Sequence, residues 1–462
     1  MSHLRIRGSA RLSGAVDVQG AKNAALPIMA AAILASEPVT LRGAPRLTDV
    51  ETLAELLASL GVSVRRGRDG SLRIATLDPL PVAAPRGLVR RMRASVCVLG
   101  PLVARRGAAI VPLPGGCDLG PRPIDLHLAG LAALGADVRI ERGAAVVAAR
   151  RLRGASIELA GPRGSTVTGT ANVLSAATLA RGVTVIRQAA REPEIVDLAQ
   201  FLRRLGADIE GEGSDTIVIR GVEELGGGEH AIIPDRIEAG SLLIAAAITG
   251  SRVTARGARA EHLSAVLETL ALSGQRIDVG PGAITLAGAE IPRSADVIAS
   301  AYPGFPSDLQ APLAALLSLA PGRSSITDRV FPERWGHLPE LRALGAEINR
   351  RHCRATTRGV AALVGTTVRA RDLRGASALV LAGLAAQGTT IVRGLGRLDR
   401  GYECWDAKLR ALGADVERVE GVRRLPAGTE ANARPARANP NLLADEGPVP
   451  FCFEDCATAA IL

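Results

Sequence analysis

One phrase recurs six times along this 462-residue chain: an amphipathic run closes on Leu-Gly or a near relative, and a short alternating segment follows. The glycines are Gly61, Gly135, Gly206, Gly274, Gly345 and Gly413, separated by 74, 71, 68, 71 and 68 residues. So steady a period restricts the fold to one unit copied along the chain. In the run Val50 to Leu60 the apolar residues fall at helical spacing, and Gly61 stands where a helix end turns left-handed. Val62 to Arg65 and Ala136 to Ile140 then alternate as half-buried strands do. Between these glycines lie Ala- and Leu-rich helices expected at 24–34, 94–104, 172–180, 239–248, 309–319 and 376–385. Their small, nearly all-round apolar surfaces predict buried helices. β-Branched strands such as Gly182 to Ile186 and Gly388 to Val392 follow. The expected fold class is α/β, with six units closing three at a time into two pseudo-threefold domains that face a cleft. A solenoid fits poorly, since its repeat is usually about 20 to 50 residues long.

Length agrees with two domains, because single cores stop growing below this size. Apolar stretches such as Leu242 to Thr249 are far shorter than the roughly 20 residues a membrane span needs. The opening Leu4-Arg5-Ile6-Arg7-Gly8 reads as a strand and a turn, where an export signal would be apolar, so a cytoplasmic protein is expected. Cys97, Cys117, Cys353, Cys404, Cys452 and Cys456 lack framework spacing and are expected as free thiols. The single Cys452/Cys456 pair falls short of the four ligands of structural zinc. A net charge of +10 admits nucleic acid as a partner. Arginines spread along the whole chain, with aromatics at 2%, argue against it, because little is left for bases to stack on. A small anionic substrate in a basic cleft is the better expectation.

Residues that break a repeat are candidates for chemistry, because the scaffold does not require them. Lys22, one of two lysines, opens a helix in Gly20-Ala21-Lys22-Asn23-Ala24-Ala25-Leu26-Pro27. A cation at the positive end of a helix is unfavourable unless an anion binds there, so Lys22 reads as an anion ligand. The segment from Leu113 to His127 has no counterpart in the other units. Its glycines and prolines predict a shaped loop leading into a helix from Pro123. Cys117 within it is an accessible thiol, and flanking arginines would pull its pKa below about 8.5. Arg122, Asp125 and His127 favour a reactive thiol over an inert one. In Ala301 to Gln310 a proline-rich stretch delivers Asp308 to a helix start, where a plain N-cap role suffices on the residue pattern alone.

These segments, with MRAS at 92–95, LGPLVAR at 99–105, PGGC at 114–117, RPIDLH at 122–127, AREPEIVD at 190–197, PDRIEAG at 234–240, FPSDLQ at 305–310 and DRGYE at 399–403, resemble the enolpyruvyl transferases of peptidoglycan precursor synthesis. The resemblance runs from about Leu4 to Gly421. It implies two inside-out α/β barrels of three units each, a first domain over 22–233 and a second over 1–21 and 234–422. Residues 423–462 lie beyond it and read as a disordered extension rich in Pro and Ala. The implied reaction joins phosphoenolpyruvate to the 3-hydroxyl of UDP-N-acetylglucosamine through a tetrahedral intermediate that loses phosphate, with no metal or cofactor. The resemblance makes Cys117 the proton donor and the thiol that fosfomycin alkylates, with its loop as a lid. It assigns Lys22, Asn23, Arg122 and Arg400 to phosphoenolpyruvate, and Asp308 as the base near the sugar hydroxyl. Asn23, Arg93, Arg122, Pro123, Ile124, Asp125, Leu126, Thr166, Val167, Asp308 and Val330 would hold the nucleotide sugar, with Arg334 and Arg374 around the cleft. Gly164 and Ser165 stand where some relatives have a lysine beside the uridine. Two other readings are a sister transferase acting on shikimate 3-phosphate, which lacks the PGGC loop, and a non-catalytic paralogue, which would have lost Lys22, Cys117 or Arg400.

Overall fold

The computed structural model describes residues 2–9, 11–113, 123–162 and 164–420. The expectations for Cys117, Arg122 and residues 423–462 lie outside these. The six recurring glycines all have left-handed backbones, from φ +74° at Gly61 to +107° at Gly206. Each donates its N–H to the carbonyl three residues earlier, at 2.8–3.0 Å, which closes the last helical turn. The helices they end include Thr48–Ser59, Pro193–Arg204 and Trp405–Ala411, and a strand follows each. The fold is mixed α/β.

Five four-stranded sheets share one pattern: an edge strand parallel to its neighbour, then two antiparallel steps. Gly228–Ala231, Val39–Arg42, Leu72–Thr76 and Val62–Arg66 form one of them in that order. The sixth joins Ala108–Pro112, Ala144–Ala148 and Asp137–Glu141, and a parallel bridge from Ala83 to Ile110 takes the place of its edge strand. Alternation along each strand turns one face toward apolar helices. In Arg236–Ile248 every residue from Ile237 onward is buried, as its small apolar sequence predicts. Close approach needs glycine in places. A Cβ at Gly100 would lie 2.2 Å from the Asn172 carbonyl oxygen, and the Gly100 N–H donates to Asn172 Oδ1 at 2.8 Å.

Buried apolar side chains fall into two large clusters. One draws on Ala21 to Ile233, the other on Leu4 to Val16 together with Ile237 to Val416. The chain crosses between them at two adjacent places: Ala21 N donates to Ile233 O at 2.7 Å, and Asp235 N to Gln19 O at 2.8 Å. No helix among the described residues is long and apolar enough to cross a membrane.

Four local expectations are corrected. The helix expected from Asn172 begins at Val167, because Thr166 caps it by accepting the Gly169 N–H at 3.2 Å. The helix expected from Pro123 begins at Asp125, and Arg93–Val98 is a 3₁₀ turn before the α-helix Leu99–Arg106. Asp308 is no N-cap. It lies inside the 3₁₀ turn Ser307–Leu309, and its carboxylate is taken by two arginines.

Candidate active site

Lys22 is brought to the junction of the two clusters because Ala21 is held to Ile233, and its own N–H donates to Asp235 Oδ2 at 3.3 Å. The side chain is buried, and its ammonium donates to Asp49 Oδ2 at 3.2 Å. Burial pulls the Lys22 pKa down, with the attraction of Asp49 opposing. Arg400, from the far end of the chain, donates to the other oxygen, Asp49 Oδ1, at 2.8 Å. Burial raises the Asp49 pKa, but Lys22 and Arg400 outweigh it and keep the group a carboxylate. Asp49 was not singled out in the sequence. An acidic residue in the first turn of a helix is ordinary, and only its meeting with two distant cations marks it.

Arg334 and Arg374 grip Asp308 from two sides, at 2.6 Å to Oδ1 and 2.8 Å to Oδ2. Despite burial, these two guanidinium groups hold its pKa well below the ordinary carboxylate range. Arg374 is positioned because Asp372 caps its helix, accepting the Arg374 and Gly375 N–H groups at 3.0 Å each. Its guanidinium lies 5.4 Å from the centre of the Tyr402 ring. Arg374 Nε and Nη1 and Arg334 Nε are buried, with no hydrogen-bond partner among the described residues. Lys22 is close enough for Asp308 and Arg374 to act on its pKa, so Lys22, Asp49, Asp308, Arg334, Arg374 and Arg400 form one neighbourhood. Lys22, Arg334, Arg374 and Arg400 gather there around Asp49 and Asp308, with Asp235 also beside Lys22 and Arg374, and such a cation-rich cluster suits an anionic ligand.

A second group lies within the first cluster. Arg93 donates to the Pro123 carbonyl at 3.2 Å. Ile124 is buried, Asp125 and Leu126 open the next helix, and His127 Nε2 meets Thr168 Oγ1 at 2.8 Å, one residue beyond Val167. Burial lowers the His127 pKa to about 4, so the ring is neutral at ordinary pH. Val330 belongs with Asp308 instead: its N–H donates to Asp328 Oδ1 at 2.9 Å, and Asp328 Oδ2 accepts from Ser307 at 2.6 Å. Asn23, partly exposed, follows Lys22 on the same helix.

Behind Arg400 lies a support that sequence reasoning also missed. The Gln19 amide donates to Gly401 O at 3.1 Å and accepts the Glu403 N–H at 2.7 Å, so it holds the backbone just after Arg400. Glu238, fully buried, accepts the Gln19 N–H at 2.6 Å and Lys408 Nζ at 2.7 Å. Burial pushes the Glu238 pKa up to about 7 against the pull of Lys408. The rarity of lysine was the available signal for Lys408.

Comparison with known proteins places this arrangement. The family model for EPSP synthase (3-phosphoshikimate 1-carboxyvinyltransferase) matches residues 6–409. The UDP-N-acetylglucosamine 1-carboxyvinyltransferase of Akkermansia muciniphila is 45% identical over 91% of this chain and 99% of its own. The same-named protein of Cronobacter sakazakii is 47% identical over 91% of this chain and 100% of its own. Among solved structures, the enolpyruvyl transferase NikO from Streptomyces tendae superposes with a TM-score of 0.82 at 30% identity, over 90% of this chain and 99% of that one. An EPSP synthase from Acinetobacter baumannii shares the fold, with a TM-score of 0.67 at 17% identity. With a cationic neighbourhood assembled from both ends of the sequence and relatives that match nearly end to end, the chain belongs to the UDP-N-acetylglucosamine 1-carboxyvinyltransferase family of enolpyruvyl transferases.

Proposed function

We propose that this protein transfers the enolpyruvyl group of phosphoenolpyruvate to the 3-hydroxyl of UDP-N-acetylglucosamine and releases phosphate, in peptidoglycan precursor synthesis. The observation that carries the reading is the gathering of Lys22, Arg334, Arg374 and Arg400 around Asp49 and Asp308, with guanidinium donors of Arg334 and Arg374 left without partners among the described residues. Phosphoenolpyruvate repels nucleophiles through its carboxylate and phosphate, and buried cations offset that repulsion while a proton reaches C3. Cys117 is the donor of that proton, and Arg122 joins the phosphoenolpyruvate ligands with Lys22, Asn23 and Arg400. Arg93, Pro123, Ile124, Asp125, Leu126, Thr166, Val167 and Val330 hold the nucleotide sugar.

Asp308 is the base for the sugar hydroxyl, under a condition set by its surroundings. A carboxylate held by Arg334 and Arg374 is a weak base. Its basicity rises when one guanidinium turns toward the substrate anions, which ties proton removal to occupancy of the site. The two apolar cores are proposed as two inside-out barrel domains of three units each, over 22–233 and over 1–21 with 234–422, joined at the paired crossings.

A phosphate-release assay with phosphoenolpyruvate and each acceptor tests the proposal. Turnover with UDP-N-acetylglucosamine and none with shikimate 3-phosphate is the expected result. The reverse preference assigns the chain to the sister activity, and no turnover with either acceptor leaves it a binding protein.

A further inference from the structure

The sheet formed by Asp296–Ala299, Arg323–Asp328, Arg354–Arg358 and Glu347–Arg351 turns an unusual face to solvent. Register places Arg323 opposite Arg358 on one row and Arg354 opposite Arg351 on another, with Thr356 between Ser325 and Asn349 on the row between them. Like charges directly opposite each other destabilise an antiparallel pair. Other sheets set an acid from a neighbouring strand against the outward arginine: Arg5 with Glu417, Arg42 with Glu229, Arg220 with Asp208, Arg256 with Asp17. Arg65 opposite Arg73 and Arg369 opposite Arg393 are similar clashes, but each is a single one in its sheet.

Acids near this face compensate little. Arg354 reaches Asp296 only at 3.9 Å, and Glu347 stands across from Arg358 in register without pairing to it. Among the described residues, Arg323, Arg351 and Arg358 make no ion pair or side-chain hydrogen bond. These side chains line a concavity of about 910 Å³, and its rim has no aromatic residue on which a base could stack. Arg358 lies four positions beyond Arg354, so the two cationic rows stand about 13 Å apart along the strand.

We propose that this sheet face binds an extended phosphate-bearing anion, a linear oligophosphate in its simplest form, which bridges the Arg323/Arg358 and Arg351/Arg354 pairs and hydrogen-bonds to Thr356 and Asn349. Guanidinium forks match phosphate oxygens two at a time, and an anion laid across both rows removes the repulsion within each. This inference is independent of the proposed reaction.

The test is calorimetric titration of the full chain with inorganic tripolyphosphate, on the wild type and on two double variants of equal charge change. Arg323→Glu with Arg351→Glu leaves Arg358 and Arg354 facing a glutamate, which keeps the sheet paired. It should weaken binding by about tenfold or more, the scale of one or two lost charge-assisted hydrogen bonds. Arg65→Glu with Arg252→Glu, on two other sheets, should leave binding within about twofold, because salt screens exposed charges that lie more than a Debye length from the ligand. Binding at the Lys22 and Arg400 neighbourhood is common to all three proteins and cancels in the comparison. Equal losses in the two variants, no binding by the wild type, tighter binding of monophosphate, or tighter binding of a hexaglutamate peptide would each overturn the proposal.

Discussion

Asp49 sits between two cations from opposite ends of the chain, Lys22 and Arg400. Replacing it with Asn leaves two buried positive charges uncompensated, a change that costs on the order of 3 kcal/mol. An anionic ligand should offset that loss, so in thermal melts phosphoenolpyruvate is expected to raise the Tm of Asp49→Asn more than that of the wild type. Equal ligand shifts would show that the carboxylate does not share its cations with substrate. Thiol chemistry gives a second test at this scale. Burial pushes the Cys97 pKa up to about 12, so that thiol is inert, and intact mass with peptide mapping should find fosfomycin on Cys117 and not on Cys97. Cys117→Asp should keep turnover and lose labelling, since a carboxylic acid also donates a proton. Lys22 was legible in the sequence because a lysine at a helix start is physically conspicuous. Asp49 was not, because its meaning comes from partners 27 and 351 residues away.

Elements were easiest to read where one residue forces the backbone. Each recurring glycine ends a helix in the left-handed region, and only glycine adopts that without strain. Helix starts were harder, since Thr166 caps Val167–Ala177 through a run of residues that looks poorly helical. The link from the crossing strand to the Arg400 turn was invisible, because Gln19 works through backbone atoms of Gly401 and Glu403. Gln19→Ala removes both bonds and should raise KM for phosphoenolpyruvate about tenfold, with the KM of the sugar nucleotide within about twofold. Equal effects on both substrates would mean a general loosening instead. Glu238 adds a pH signature. Its pKa rises from 4.5 to about 7 on folding, so this group favours the fold fully below pH 4.5, and that contribution fades as pH climbs through 7. The full span is on the order of 3 kcal/mol. Glu238→Gln should therefore flatten the fall in Tm between pH 5 and 8.

At the scale of the molecule, the sixfold unit was readable from spacing, while the sorting of strands between two cores was not. Spacing cannot say that His3–Arg7 and Ser13–Asp17 pair with strands from the second half of the chain. The crossing that separates these strands from Lys22 is tight. A Cβ at Gly20 would fall 1.8 Å from the Gly43 carbonyl oxygen, whereas one at Gly396 meets nothing within 4 Å. Gly20→Ala should therefore lower stability by about 2 kcal/mol or more and depress kcat with it, through displacement of Lys22. Gly396→Ala should be near neutral in both measurements.

His3–Arg7 lies between Thr389–Arg393 and Asp415–Val419, so this strand is flanked by two that are made nearly four hundred residues after it. On a ribosome, everything the first core needs has emerged once Ile233 is out. The opening strand must wait for nearly four hundred further residues, roughly 20 to 80 s at ordinary elongation rates. During that interval its hydrogen-bonding edges stay unsatisfied beside a finished neighbour. Basic residues alternate with apolar ones in His3-Leu4-Arg5-Ile6-Arg7, a pattern that disfavours edge-to-edge pairing, and in the folded chain Arg5 and Arg7 meet Glu417 and Asp415.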